Sequence, residues 1–162
     1  MGKIFFVGAG PGDPDLITVR GNDLLQKADL LVYTGSLVNP ALVDRCPAVQ
    51  KIDSWGKNLE EIVPVMVDQA REGKTVVRLH SGDPSLFGAI VEQMEMLARE
   101  GIEYEVIPGV SSMFCAAAAL STQLTLGGVS DTLIVTRPAG ETLEEDDLPA
   151  LSEHGATMVV FL

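Results

Sequence analysis

Ile4-Phe-Phe-Val-Gly-Ala-Gly-Pro-Gly-Asp-Pro-Asp15 decides the fold. Its first four residues are a β-rich apolar run, and the run stops in glycines, prolines and acids that suit only a tight loop. Three residues on, Thr18 can cap a helix to about Ala28, with Val19, Leu24, Leu25 and Ala28 turned inward. A second apolar run, Leu30-Leu-Val-Tyr33, follows at once. Strand, small-residue loop, amphipathic helix, strand is the pattern of a parallel α/β sheet.

The pattern recurs downstream. Val49-Gln-Lys-Ile52 is a weaker strand, and Asn58 with Glu61 forms a capping box before a helix that aligns Leu59, Ile62, Met66 and Ala70. Pro64 removes a hydrogen bond from a helix interior, which favours a late helix start at Pro64 over a kink. Thr75-Val-Val-Arg-Leu79 is the next strand. Asp83 as N-cap with Pro84 at the first position then starts a helix whose apolar face is Leu86, Phe87, Ile90, Val91, Met94 and Leu97. Both this helix and the one before it stop in Ala-Arg-Glu-Gly, at Gly73 and Gly101, a glycine suited to the left-handed cap.

Tyr104-Glu-Val-Ile107 is a strand broken by Pro108-Gly109, and a small-residue helix runs from Met113 to Leu120. Thr132-Leu-Ile-Val-Thr136 is another strand, and Pro138 to Leu151 reads as an exposed loop with one turn of helix. The expected fold class is α/β. A mostly parallel sheet with crossover helices fills residues 1–125, and a second α/β domain opens over 126–162 after the flexible break Gly127-Gly-Val-Ser130. The chain ends inside the apolar run Thr157-Met-Val-Val-Phe-Leu162, which reads as a strand cut short.

Composition bounds the partners. The 162 residues are 46% apolar, enough for a sizeable core. Eleven Lys+Arg against 23 Asp+Glu give a net charge of -12, which argues against nucleic acid and anionic membrane surfaces. Neither a bilayer-length apolar run nor a signal segment stands out, so a cytoplasmic setting is expected. Cys46 and Cys115 are too far apart for a metal knuckle, and no histidine or cysteine pair has ligand spacing.

Several chemistries fail on the residues. A dinucleotide fingerprint starting at Gly8 needs glycine at position 13, where Asp13 stands, and Pro11 and Pro14 remove amides that a pyrophosphate would use. No Gly-Lys-Ser/Thr follows for a phosphate loop. Gly109-Val-Ser-Ser-Met113 ends in Met where a nucleophile elbow wants glycine. His154 reads as a surface residue, whereas His80 stands at a strand's C-terminal end, where open α/β sheets gather ligands. What remains is three small-residue loops, each directly after a strand: Gly8 to Asp15, Ser81 to Pro84, and Pro108 to Ser112. Lacking bulk, they can press backbone against a small molecule.

These stretches carry a family resemblance. Val7-Gly-Ala-Gly-Pro-Gly-Asp-Pro-Asp-Leu-Ile-Thr-Val-Arg-Gly21 resembles the N-terminal signature of the tetrapyrrole methylases. Val76-Val-Arg-Leu-His-Ser-Gly-Asp-Pro-Ser-Leu-Phe-Gly88 resembles their second signature, and Pro108-Gly-Val-Ser-Ser112 their third cofactor loop. Gly82 to Met94, Ala116 to Ala119 and Thr136-Arg-Pro-Ala-Gly140 are similar to the branch that methylates the corrin ring at C11. The uroporphyrinogen-III methylases usually carry a second glycine and Phe-x-Phe-Gly-Arg-Gly where this chain has Ser81 and Leu86-Phe-Gly-Ala89.

The resemblance implies an S-adenosylmethionine-dependent C-methyltransferase of cobalamin biosynthesis, a cleft between two α/β domains, a homodimer and a polycarboxylate tetrapyrrole substrate. Carried over by position, the cofactor contacts are Pro11, Ser81, Gly82, Asp83, Leu86, Ser111, Ser112 and Leu162. An anionic substrate on an acidic chain needs local cations, for which Arg78 and Arg137 are the candidates, with His80 the one side chain for proton work; no catalytic base is assigned. Glu141 departs from the family, which usually has Arg there. The likeness covers about the first two-thirds of such enzymes. Two alternatives follow: a methylase of another corrin or uroporphyrinogen position, or a fragment without catalysis.

Overall fold

A computed structural model describes residues 2–140 and 145–162; Glu141 and part of the acidic run around it lie outside the described residues. The chain forms two compact units, Met1–Ser112 and Met113–Leu162.

The first unit runs β1 (Lys3–Gly8), α1 (Val19–Leu25), β2 (Leu30–Tyr33), α2 (Pro40–Arg45), β3 (Gln50–Asp53), α3 (Leu59–Arg71), β4 (Thr75–His80), α4 (Ile90–Arg99) and β5 (Tyr104–Ile107). Its five strands are all parallel, in the order β3-β2-β4-β1-β5. The two-residue period of each strand divides the core between the faces. Ile4, Phe6, Leu30, Val32 and Val76 pack with α3 and α4, while Val7, Leu31, Val77 and Leu79 pack with residues of α1 and α2. Both faces are covered at β1 and β2, which is why these inner strands read as continuous apolar runs, whereas edge strand β3 is mostly exposed.

Local choices explain most boundaries. Thr18 accepts the Gly21 amide at 3.1 Å and starts α1. The capping box before α3 is formed in both directions, Glu61 N–H to Asn58 and Asn58 N–H to Glu61, each at 2.9 Å. That box starts α3 at Leu59, and the helix continues through Pro64, so the expected late start is corrected. Burial of Ile62, Val63, Met66, Val67 and Ala70 outweighs the one hydrogen bond lost at the proline.

Two other expectations are corrected. Val19 does not turn inward; it is 81% exposed. The helix after β4 does not begin at Asp83-Pro84 but at Ile90, preceded by Phe87 and Ala89 in left-handed conformations with φ 55° and 47°. Accordingly Phe87 and Val91 are exposed rather than part of the apolar face. The short helix α2 was not foreseen: Asn39 caps it through the Ala41 amide at 2.9 Å, and Pro40 opens it.

The second unit holds nearly all of α5 (Ser112–Ala119), then β6 (Leu133–Thr136), α6 (Leu148–Ser152) and β7 (Thr157–Val160). β6 and β7 pair in parallel, from Leu133↔Thr157 to Thr136↔Val160. α6 is the single turn expected within the loop after Pro138.

Candidate functional site

The sheet order itself creates a switch point. β1 and β4 are neighbours, yet the chain leaves β1 toward α1 on one face and leaves β4 toward α4 on the other. Ligands of open α/β sheets bind where neighbouring connections diverge in this way, outside the carboxyl ends of the strands. Here that point is Gly8 to Asp15 beside His80 to Ala89, with the loop after β5 on the other side of β1.

The three loops are locked together. Gly10 and Gly82 exchange backbone hydrogen bonds, Gly10 N–H to Gly82 O at 3.2 Å and Gly82 N–H to Gly10 O at 2.8 Å. Gly82 needs its positive φ of 59° to make this turn. A Cβ on Gly8 would come within 2.7 Å of the Gly82 carbonyl oxygen, and one on Gly109 would strike the same oxygen, so both positions exclude any side chain. Asp83 adds a side-chain tie: its Oδ2 accepts the Gly109 amide at 2.9 Å, and its Oδ1 accepts the Ser85 amide at 2.8 Å and the Ser85 hydroxyl. Burial pushes the Asp83 carboxyl up, but the bonds from Ser85 and Gly109 outweigh it and hold the group below its ordinary value.

The first loop is also pinned from α2. Asn39 donates to the Gly12 carbonyl at 2.7 Å, and Arg45 donates to the Pro14 carbonyl at 3.1 Å and pairs with Asp15 at 2.9 Å. Neither residue was a candidate in the sequence; the Asn39-Pro40 helix start was the available clue.

Pro11, Ser81, Gly82, Asp83, Leu86, Ser111 and Ser112 all belong to these three loops or to the first residue of α5, within the first unit. Ser81 and Ser112 are exposed, Pro11 and Leu86 half-buried, and Ser111 buried. The structure therefore groups seven of the eight expected cofactor residues on one sheet edge. Leu162, exposed after β7, and Arg137, half-buried after β6, belong to the second unit.

Arg78 and His80 lie two apart on β4, on the side of the sheet that carries Val76 and the α3 and α4 core. Each is only 8% exposed. Arg78 Nε reaches Gln93 Oε1 at 3.4 Å, its Nη1 is buried without a hydrogen-bond partner, and so is His80 Nε2. The His80 ring stacks loosely on Phe6, with centroids 6.0 Å apart. Burial, reinforced by the Arg78 cation, pushes His80 down to about 3, and burial pushes Arg78 down to about 10. At neutral pH the pair is thus a neutral imidazole beside a guanidinium cation.

Fold and loops together define a doubly wound α/β protein with an interlocked small-residue loop junction at the switch point of its first unit. Residues 3–162 match the family model of the Tetrapyrrole (Corrin/Porphyrin) Methylases, and the chain belongs to that family. It is 50% identical to a cobalt-precorrin-4 C(11)-methyltransferase of Methanocaldococcus jannaschii, across 99% of this chain and 63% of that protein. It superposes with a TM-score of 0.93 on the crystal structure of a cobalt precorrin-4 methyltransferase, a cobalamin biosynthetic enzyme, at 48% identity, covering 99% of this chain and 68% of the other. A uroporphyrin-III C-methyl transferase from Thermus thermophilus, solved with S-adenosyl homocysteine, aligns with a TM-score of 0.82 at 31% identity, covering 99% and 66%. The chain thus spans about 63% of the length of its curated methanogen relative.

Proposed function

We propose that this chain contributes the donor-binding portion of an S-adenosylmethionine-dependent C-methyltransferase of cobalamin biosynthesis, which methylates C11 of precorrin-4 or cobalt-precorrin-4. The observation that carries this is the interlocked, side-chain-free junction of Gly8, Gly10, Gly82 and Gly109 at the switch point, in a chain of this family. Ser81 and Leu86-Phe-Gly-Ala89 favour the C11 branch over the uroporphyrinogen-III methylases.

Pro11, Ser81, Gly82, Leu86, Ser111 and Ser112 would hold the donor through backbone groups, hydroxyls and apolar contact; Leu162 is proposed as a cofactor residue from the family resemblance alone. Asp83 would act mainly by holding its loop, since both its oxygens already accept protein hydrogen bonds. When bound, the donor supplies an electrophilic methyl group on sulfonium. Held by these residues in line with the acceptor, it would let the ring carbon's electron pair form the new C–C bond while the C–S pair returned to sulfur. The protein's share is alignment and exclusion of water, which a rigid small-residue junction can supply without a covalent intermediate. Arg78 would offset a substrate carboxylate on a chain of net charge -12, and Arg137 is proposed for such a role from the family resemblance alone.

The remaining elements of this reading are a domain boundary near residue 125, a homodimer and a cytoplasmic setting. The boundary is proposed from the small-residue break Gly127-Gly-Val-Ser130, and the homodimer and the setting from the family membership.

Titration calorimetry of the 162-residue chain with S-adenosylmethionine tests the site. One-to-one binding is expected; silence supports a fragment without catalysis. A labelled methyl donor incubated with cobalt-precorrin-4 then tests transfer, and label recovered in the macrocycle is the expected result.

A further inference from the structure

We propose that Arg78 and His80 form a receptor for one carboxylate, set into the C-terminal end of β4 on the side of the sheet facing α3 and α4. The methyl-transfer reading bears only on which molecule supplies that carboxylate.

Charge bookkeeping around Arg78 leads to this assignment. A guanidinium taken out of water needs an anion or a full set of acceptors, because an unpaired buried cation is strongly unfavourable. Arg78 has neither. Its one side-chain bond is the long contact to neutral Gln93, and Gln93 is itself committed, donating to the Ala89 carbonyl at 3.0 Å. Asp53 is the acid that Arg78 feels, but the two make no ion pair among the described residues. Asp53 Oδ1 already accepts the amides of Gly35 and Trp55, each at 2.9 Å.

His80 completes the geometry. Its Nε2 is the second buried atom without a partner, on the same side of the same strand and one pleat nearer the switch point. As a neutral ring it can still donate a single N–H. One forked guanidinium edge and one imidazole N–H match the two oxygens of a planar carboxylate better than they match a bulkier tetrahedral phosphate. Their place at the last residues of β4 puts them beside the loop that begins at Ser81. The carboxylate can come from the methionine part of the methyl donor or from an acetate or propionate arm of the tetrapyrrole.

The chain has two histidines, His80 and exposed His154, so ring nitrogen resonances give a probe with an internal control. The 162-residue chain is titrated separately with sodium acetate at constant ionic strength, with S-adenosylmethionine, and with an octacarboxylate porphyrin. The His80 ring is expected to move with at least one of them while His154 stays still. Movement with S-adenosylmethionine assigns the receptor to the donor, and movement with the porphyrin assigns it to the ring substrate.

Arg78→Gln should weaken that ligand by about tenfold or more, the usual effect of losing a charged hydrogen bond. If Arg78→Gln does not fold, the wild-type titrations decide alone. A His80 ring silent toward all three ligands overturns the receptor, as does a folded Arg78→Gln chain with unchanged response and affinity. A ring that moves with acetate while neither larger ligand binds keeps the receptor and removes the methyl-transfer reading instead.

Discussion

Two neighbouring regions at the end of β4 solve opposite problems. At the loop junction polar groups answer one another: Gly10 pairs with Gly82, and Asp83 receives Gly109 and Ser85. Next to it, Arg78 Nη1 and His80 Nε2 are buried with nothing to bond. The first region is a finished surface whose shape is fixed before any ligand arrives. The second has unmet bonding capacity. Satisfied polar contacts give a protein its shape, whereas unsatisfied ones mark where it has something left to bind.

The junction should break most severely at Gly109. An added methyl group there strikes the Gly82 carbonyl, a backbone atom that cannot swing aside. Gly109→Ala is expected to cost about 3 kcal/mol in urea denaturation. The same change at Gly127, where a Cβ meets nothing within 4 Å, should stay within about 0.5 kcal/mol. Equal costs at the two glycines would remove the steric account of the junction.

Asp83→Ala comes next. It leaves the Gly109 and Ser85 amides without acceptors, an expected loss of about 2 kcal/mol. Hydrogen exchange should accelerate at the Gly109 amide in particular, while the β1–β4 ladder stays protected. Uniform acceleration would mean that Asp83 supports the whole sheet rather than tying two loops.

How much of this could be read beforehand depends on how local each cause is. The inner strands of the first unit were readable because both faces are buried, which leaves unbroken runs such as Leu30-Leu-Val-Tyr33, whereas edge strand β3 is mostly exposed and read only weakly. The capping boundaries at Thr18 and Asn58 were readable too, since both partners lie within one turn. Asp83-Pro84 misled because the same carboxylate that could start a helix is claimed by Gly109, 26 residues away. α2 was missed because six residues carry too little periodicity to announce a helix. In the site, the glycine loops stood out by composition and by family signature. That Arg78 would be buried against Gln93, fifteen residues on and in another element, has no local signature at all.

The smallest expected effect separates the two regions by pH. Folded His80 titrates at about 3 against an ordinary 6.5, so the unfolded chain binds a proton that the folded chain refuses. Its contribution to stability is therefore complete above about pH 6.5 and is lost as pH falls toward 3. Between pH 7 and 5.5 the loss should be about 1 kcal/mol in denaturation midpoints. Asp83 belongs to a lower window: held below its ordinary 3.8, its contribution persists above that value and fades only as pH falls through the folded one. His80→Gln, which stays uncharged, should flatten the slope between pH 7 and 5.5 and leave the steep acid limb unchanged. A carboxylate seated on Arg78 and His80 would flatten the same slope in the wild-type chain, because a neighbouring anion makes the imidazolium easier to form in the folded state. An unchanged slope in His80→Gln would place its origin outside the pair.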